Sequence, residues 1–342
     1  MVAMEQRKLI SRLRQWTTVR ASNIYKSVLG GMGQINQWVL KKRFPYEAGL
    51  LNSIRANIEL GTGFYDALSV TDGLVMGPWM RRSESMIDDV LHSGDFQLFA
   101  HDSLRYAMIV GSSGNCMRSQ LDYLMSRLPT ETLHWLLREP RIQGIPVNSV
   151  RFECSHNNIH HLHHLTLFED YVNTAISDFN FIAEFGGGYG NMARLVKMMV
   201  PDVTYLIVDL PIFLLIQYAY LESVLGTGIC NFIVGKNQPL KKAKINLMVC
   251  HSSYFVEHVF DMFISTMALS ETTRMAQQAV FEAEFFGADY LLVSHQSTSE
   301  RWKHAESLVK PINQQYEICF HGKLPYFDKD ESYLLARKGE KD

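Results

Sequence analysis

Residues 181–211 read FIAEFGGGYGNMARLVKMMVPDVTYLIVDLP, and this stretch decides the fold of the chain. The opening FIAEF is a short apolar run bounded by glycine, the pattern of a buried strand. Gly186, Gly187, Gly188 and Gly190 then predict a tight turn that only glycine backbones enter easily. Met192, Leu195, Val196 and Met199 follow at three- and four-residue spacing, as on one face of a helix, and Pro201 stops it. Residues 205–208 are a second apolar strand ending in Asp209. Strand, glycine turn, helix, strand and acid in that order put helix amides beside the turn. They also put a carboxylate at the tip of the next strand, where ribose hydroxyls can be held. A nucleoside-bearing ligand is the expectation.

Working towards the C-terminus, residues 212–225 read as an apolar helix closed by Gly226. Residues 231–234, 245–250, 261–265 and 290–294 read as strands, with a helix over 272–286. Residues 316–320 and 333–336 flank a Pro- and Asp-containing turn and predict an antiparallel pair. Strands alternating with helices and closed by such a pair describe an α/β fold. The sheet should be open, Rossmann-like and mostly parallel, with an antiparallel C-terminal edge. Ligands of such sheets bind at the carboxyl ends of the strands. That rule gathers residues 184–190, Asp209, His251, residues 265–271 and His295 around one cleft.

Towards the N-terminus, residues 1–150 predict a mainly helical cap, joined through a hinge at 144–148 to a catalytic domain at 151–342. Helix-like patches at 47–60, 84–91 and 120–137 are separated by Gly-, Asp- and Ser-rich breaks at 61–63, 71–77 and 111–115. Leu9, Ile10, Leu13 and Trp16 share a helical face ringed by basic residues. The first helix of a cap is the plainer account, and a foot on an anionic membrane is the alternative. Trp79, Arg81, Arg82, Tyr106 and Trp135 are available to line an acceptor pocket, although such residues more often serve packing and surface. Residues 153–170, ECSHNNIHHLHHLTLFED, set His156/His160 and His160/His164 at a spacing that can hold a metal on a helix. No zinc-peptidase glutamate intervenes and no cysteine stands at a useful distance. Helical packing, with some histidines lining the cleft, is the better account, and no metal is expected.

The totals bound the partners. With 47% hydrophobic and 20% charged residues, the 342-residue chain has the composition of a folded soluble protein, long enough for two domains or one domain with a large cap. A net charge of −2 gives no electrostatic reason to expect nucleic acid. Five scattered cysteines fit reduced thiols in the cytoplasm. The basic N-terminus lacks the apolar core of a secretory signal, and Asp209, Pro211 and Gln217 interrupt the most apolar region, so no membrane span is expected. A small-molecule or glycan partner is left, with self-association open.

The run E-F-G-G-G-Y-G resembles the acid-x-Gly-x-Gly-x-Gly loop of class I S-adenosylmethionine-dependent methyltransferases. Glu184 would be the acid, and Gly186, Gly188 and Gly190 the glycines; I-V-D-L-P resembles the ribose-binding end of that family's second strand. The likeness is nearest to sugar O-methyltransferases, which pair these motifs with a later strand and a Ser/Glu segment, here residues 260–265 and Leu269, Ser270 and Glu271. It covers residues 150–340. The resemblance implies S-adenosyl-L-methionine as cofactor. Glu184 would lie by its amino-acid end or brace the loop, and the amides of Gly186, Gly187, Gly188 and Gly190 would approach its methionine part. Asp209, followed by Leu210, would take the ribose hydroxyls. Ser265 would line the cofactor side, and His251 and Ser252 would stand where an adenine contact, more often an acid, is found.

Transfer to a sugar hydroxyl calls for a base to take its proton. Where plant-type O-methyltransferases carry a histidine after the fourth strand, this sequence has Leu269. Glu271 is therefore the first catalytic candidate and His295 the second, with His156 or His160 also in reach of the cleft. Glu271 equally suits the first turn of the helix that follows. Two other functions fit the same residues. Gly188, Gly190 and Ala193 satisfy G-x-G-x-x-A, as in an NAD(P)-dependent oxidoreductase or epimerase. A cofactor-binding subunit without catalysis would also lack the histidine. The acid two residues before the first glycine, the tripled glycine and the D-L-P strand end favour methyl transfer.

Overall fold

Strand β1 (Phe181–Phe185) runs through the middle of an eight-stranded sheet. The computed structural model describes residues 48–65, 74, 77–92, 101–108, 114–142, 144–235, 238–251, 259–300, 303–323 and 331–339. The amphipathic segment with Leu9, Ile10, Leu13 and Trp16, the adenine candidate Ser252, and most of the 71–77 break lie outside the described residues, as does the side chain of Tyr106. The remaining strands are β2 (Thr204–Asp209), β3 (Cys230–Ile233), β4 (Ile245–Val249), β5 (Met262–Thr266), β6 (Tyr290–Gln296), β7 (Tyr316–Gly322) and β8 (Glu331–Lys338). They lie in the order β3-β4-β2-β1-β5-β6-β8-β7. Parallel pairing runs from β3 to β6, and β8 is antiparallel to both β6 and β7. This is the expected α/β sheet, mostly parallel and Rossmann-like, with its antiparallel C-terminal edge.

The order reverses at β1. From β1 the chain steps outward through β2 to the β3–β4 edge, then returns to β5 on the other flank of β1. In such sheets the ligand crevice lies where the strand order turns back, here at the carboxyl ends of β1 and β5.

Side chains alternate across the strands and feed two cores. Ile182, Ile207, Leu247 and Ile264 point to one face. There they meet α1 (Ala48–Tyr65), α5 (Thr130–Leu137), α6 (His156–Val172), α7 (Asn191–Met199) and α8 (Pro211–Leu225). The intervening helices α2 (Gly77–Ile87), α3 (Asp102–Met108) and α4 (Gly114–Arg127) add Met86, Leu104 and Leu124 to the same core. Ala183, Val208, Phe263 and Val293 point to the other face. They meet α9 (Arg274–Glu282), Phe285 and Phe286, and Ile312 of α10 (Val309–Gln315). Among the described residues no helix is long and apolar enough to cross a membrane.

The amino-end side of the sheet is tied shut. Asp261 accepts the amides of Asn180 and Phe181 at 2.6 and 2.8 Å. The Lys197 ammonium donates to the carbonyls of Pro201, Val203 and Ala243, joining α7, β2 and the approach to β4.

Three local expectations are corrected. The glycine break at 61–63 does not interrupt α1, which runs on to Tyr65. A Cβ on Gly61 would come within 2.4 Å of Leu215 and 3.1 Å of Tyr218, so the glycine lets α1 lie close along α8 instead of ending the helix. The patch at 120–137 is two helices, α4 and α5, broken around Leu128 and Pro129. Pro129 lacks an amide to continue α4, and it precedes the first turn of α5. The helix expected over 272–286 ends at Glu282. Glu284, Phe285 and Phe286 take left-handed backbone, which turns both rings into the second core.

Candidate functional site

One wall of the crevice is the glycine turn. Gly186, Gly188 and Gly190 have φ of 81°, 57° and 94°, which side chains rarely tolerate. The Gly186 amide donates to Val208 O, and the Gly190 amide to Gly187 O, so the turn is pinned to β2 and closed on itself. The α7 helix then begins at Asn191 with Gly190 as its N-cap and no side chain satisfying its first amides. Such an uncapped end is where a carboxylate or phosphate is favoured.

The opposite wall is the turn after β5, residues 267–271. Met267 has φ 70°, and its amide donates to Ser294 O at the neighbouring strand end. Ala268 presses on the glycine turn: a Cβ on Gly186 would lie 2.0 Å from Ala268 Cβ. A Cβ on Gly188 would meet nothing within 4 Å, so this glycine faces open space. A backbone stripped of side chains beside an open volume suits close approach of a ligand.

Asp209 ends β2 beside this turn. Its Oδ1 accepts the Leu210 amide at 2.8 Å, and its Oδ2 accepts Gln217 Nε2 at 2.8 Å. Gln217 Nε2 also donates to Gly188 O at 3.0 Å, bridging acid and turn, while its buried Oε1 has no partner. Burial pushes the Asp209 carboxyl up to about 7, and donors from Leu210, Gln217, Gly187 and Gly188 pull the other way. Glu184 is buried beneath the turn and accepts the Tyr205 hydroxyl at 3.0 Å. Burial pushes it up to about 8 against that hydrogen bond, with the nearby Asp209 charge adding to the rise. Its Oε2 lies 3.3 Å from where a Gly187 Cβ would stand.

The remaining candidates fall around the same corner. Ser265 is fully buried; its hydroxyl donates to Phe185 O and accepts the Leu269 amide, so it ties β5 to β1 and to the following turn. His251 is half-buried just past β4, the strand paired with β2 at Asp209. Glu271 accepts a hydrogen bond from Gln296 Nε2. His295 lies one residue away on β6, buried, with Nδ1 3.0 Å from the Gln296 carbonyl. A carbonyl only accepts, so Nδ1 carries the proton and Nε2 is left as a bare acceptor. Nε2 has no partner, and burial lowers the ring's affinity for a second proton. Glu271 bonds the Gln296 side chain and His295 the Gln296 backbone, and consecutive strand residues point to opposite faces of the sheet.

The histidine-rich segment forms α6 with His156, His160, His163 and His164 buried. Gln120 bridges His160 Nδ1 at 2.7 Å and His156 Nε2 at 2.9 Å. Among the described residues no group of three or more metal-capable side chains is found. Of the pocket candidates, Trp79 packs edge-on against Phe213 with Arg82 over its ring, and Trp135 is exposed.

Gln217 escaped the sequence reading as a site residue. Its signal was present, since it is a lone amide inside the apolar run IFLLIQYAYL. A polar side chain in such a run needs a partner when buried.

No family model matches the chain, and none of the curated proteins does. Among solved structures it is similar to magnesium protoporphyrin IX methyltransferase from Synechocystis with bound S-adenosylhomocysteine: 12% identity over 53% of this chain and 84% of that one, TM-score 0.39. It is similar to the N-methyltransferase NodS from Bradyrhizobium japonicum, at 12% identity over 66% and 100%, TM-score 0.39. An O-methyltransferase family protein from Burkholderia thailandensis matches at 9% identity over 70% and 77%, TM-score 0.38. Likeness of this degree fixes neither ligand nor reaction.

Proposed function

We propose that the chain is an S-adenosylmethionine-dependent O-methyltransferase acting on a hydroxyl of a sugar or glycan precursor, in the cytoplasm. The observation that carries this reading is the Asp209 carboxylate held against the Gly186–Gly190 turn at the reversal of strand order. It is supported by the sequence likeness of both motifs. The residues fit the cofactor: Gly188 opens onto free space, α7 offers uncapped amides, and Asp209 is an acceptor at the end of the neighbouring strand.

S-adenosylmethionine, when bound, supplies an electrophilic methyl group on a sulfonium. The protein's share is positioning and proton removal, and positioning alone can lower such a barrier by roughly 7–11 kcal/mol. In this reading Asp209 and Leu210 hold the ribose end, and the glycine turn lies under the methionine part. Glu184 braces the turn from below, and His251 stands on the adenine side. Glu271, oriented by Gln296, takes the acceptor's proton, with the bare Nε2 of His295 at the end of the neighbouring strand as the second candidate base. As the sequence suggests, residues 1–150 would serve the acceptor and residues 151–342 would be the cofactor domain.

Equilibrium titration with S-adenosylhomocysteine and, separately, NAD tests the reading. Binding of the homocysteine ligand is expected; tight NAD binding without it replaces the reading with a nicotinamide enzyme. Methyl transfer from labelled cofactor into cell glycan, lost in Asp209→Ala, separates an enzyme from a binding subunit.

A further inference from the structure

Tyr189 belongs to the glycine turn yet turns away from the crevice. It is 2% exposed, while its neighbour Gly188 faces open space. Its ring packs edge-on against Tyr220 of α8, centroids 5.0 Å apart, and its hydroxyl donates to Glu139 Oε1 at 3.4 Å. Glu139 is 6% exposed and lies just after α5, in the stretch that leads from the N-terminal helices to the sheet. Its other oxygen accepts the amide of Ser155, the N-cap residue of α6.

A second bundle of bonds runs alongside. Asn158 Nδ2 donates to the carbonyls of Leu136 and Leu137 at 3.3 and 2.6 Å, closing the end of α5. Asn158 Oδ1 accepts Asn191 Nδ2 at 3.2 Å and Arg194 Nη2 at 2.7 Å, and Arg194 Nε donates to Asn191 Oδ1 at 2.9 Å. Asn191 opens α7 immediately after the turn. The glycine turn is therefore gripped from behind on both sides, by Tyr189 within it and Asn191 at its exit. Both grips lead to residues 136–139 and to the start of α6. A turn made of glycines has little rigidity of its own. Such a strut supplies the rigidity from outside, as side chains supporting a functional site do.

We propose that Tyr189, held by Glu139, is a positioning residue that sets the shape of the 186–190 turn for its nucleoside ligand, so that the segment after α5 governs cofactor affinity. This rests on the methyltransferase reading above. Glu139 touches no ligand in it and acts through the Tyr189 hydroxyl.

The test begins with the wild-type chain and S-adenosylhomocysteine in a calorimetric titration; no binding there overturns the cofactor reading and this inference together. If wild type binds, Tyr189→Phe is expected to bind about tenfold more weakly per folded molecule, at most the size of one buried hydrogen bond. Glu139→Gln keeps an oxygen for the Ser155 amide and turns its NH2 to the Tyr189 hydroxyl, which can accept from it, so affinity should stay within about threefold of wild type. Glu139→Ala, which also strips the Ser155 amide of its acceptor, should bind no more tightly than Tyr189→Phe, and adding Tyr189→Phe to it should weaken binding little further, because the Tyr189–Glu139 contact is already gone. Wild-type affinity in Tyr189→Phe, even with a lowered melting temperature, overturns the inference while leaving the cofactor reading intact. Should Glu139→Ala fail to fold, the contrast between Tyr189→Phe and Glu139→Gln decides alone.

Discussion

The glycine turn and helix α6 are the two stretches of this chain richest in chemical promise, and the structure treats them in opposite ways. At the turn, polar groups gather around an opening: Gly188 faces free space, Gln217 Oε1 lacks a partner, and α7 starts uncapped. In α6 a comparable density of titratable groups is packed into the core, with Gln120 bridging two of the rings and His163 set against Tyr123. The difference is one of placement. The turn lies where strand order reverses, at a free end of the sheet, whereas α6 lies across a sheet face whose side chains must be covered.

The harshest way to break the contrast is Gly186→Ala. Its Cβ would sit 2.0 Å from Ala268 Cβ at a φ of 81°. Left-handed strain and overpacking together should cost about 2–5 kcal/mol and remove measurable S-adenosylhomocysteine binding, read by denaturant unfolding and titration. In α6, His163→Leu exchanges one buried ring for an apolar side chain and should leave that affinity within about twofold. Loss of binding in both would erase the distinction between site and core.

Next in size are the bases. Replacing whichever of Glu271 and His295 takes the proton, by glutamine in each case, should lower kcat by about 10²–10⁴ without weakening S-adenosylhomocysteine. A nearly unchanged kcat in both variants would move proton removal elsewhere, with His160 the test case from α6. Asp209→Ala follows. Losing a charged acceptor for ribose should weaken the homocysteine ligand by about 10–100-fold in a titration. An unchanged affinity would leave Asp209 as a brace for Gln217 and Leu210 only.

Much of the sheet could be read in the sequence because each buried strand is an apolar run ending at a punctuating residue, as FIAEF ends at Gly186 and YLIV at Asp209. What escaped reading depended on partners distant in sequence. Gly61 looks like a helix breaker until Leu215 and Tyr218 are seen beside it. The left-handed turn at Phe285 and Phe286 is set by the core those rings enter, not by local propensity. In the site, the glycines and Asp209 announce themselves by type and spacing. Gln217, Tyr189 and Glu139 do not, because a hydrogen bond spanning 29 or 50 residues leaves no periodic trace. The histidines of α6 show the converse: their spacing alone would suit a metal, packing is the plainer reading of the sequence, and the structure buries four of them.

The subtlest expected effect reads both regions in one curve, because their buried groups push stability against pH in opposite directions. Burial holds the His161 and His163 rings neutral, pulled down to about 4 and about 3 from 6.5. The unfolded chain takes up protons first, so their contribution is complete above pH 6.5 and is lost as pH falls towards 4 and then 3. Burial raises Glu184 from 4.5 to about 8 and Asp209 from 3.8 to about 7. Here the folded chain keeps its protons longer, so the contribution is present at low pH and is lost as pH rises through 7 and 8. Each group tilts the curve by about 1.4 kcal/mol per pH unit within its own window. Denaturant midpoints across pH should therefore rise on the acid side, level off between 4.5 and 6.5 where the two kinds of group offset each other, and fall from 6.5 to 8. Glu184→Gln should remove the fall from 7 to 8 and turn the level stretch from 4.5 to 6.5 into a rise, whereas His163→Leu should make that stretch fall and leave the limb above 6.5 alone. If Glu184→Gln left the slope from 6.5 to 8 unchanged, the glutamate under the turn would be ionised in the folded state, and its hydrogen bond from Tyr205 would outweigh its burial.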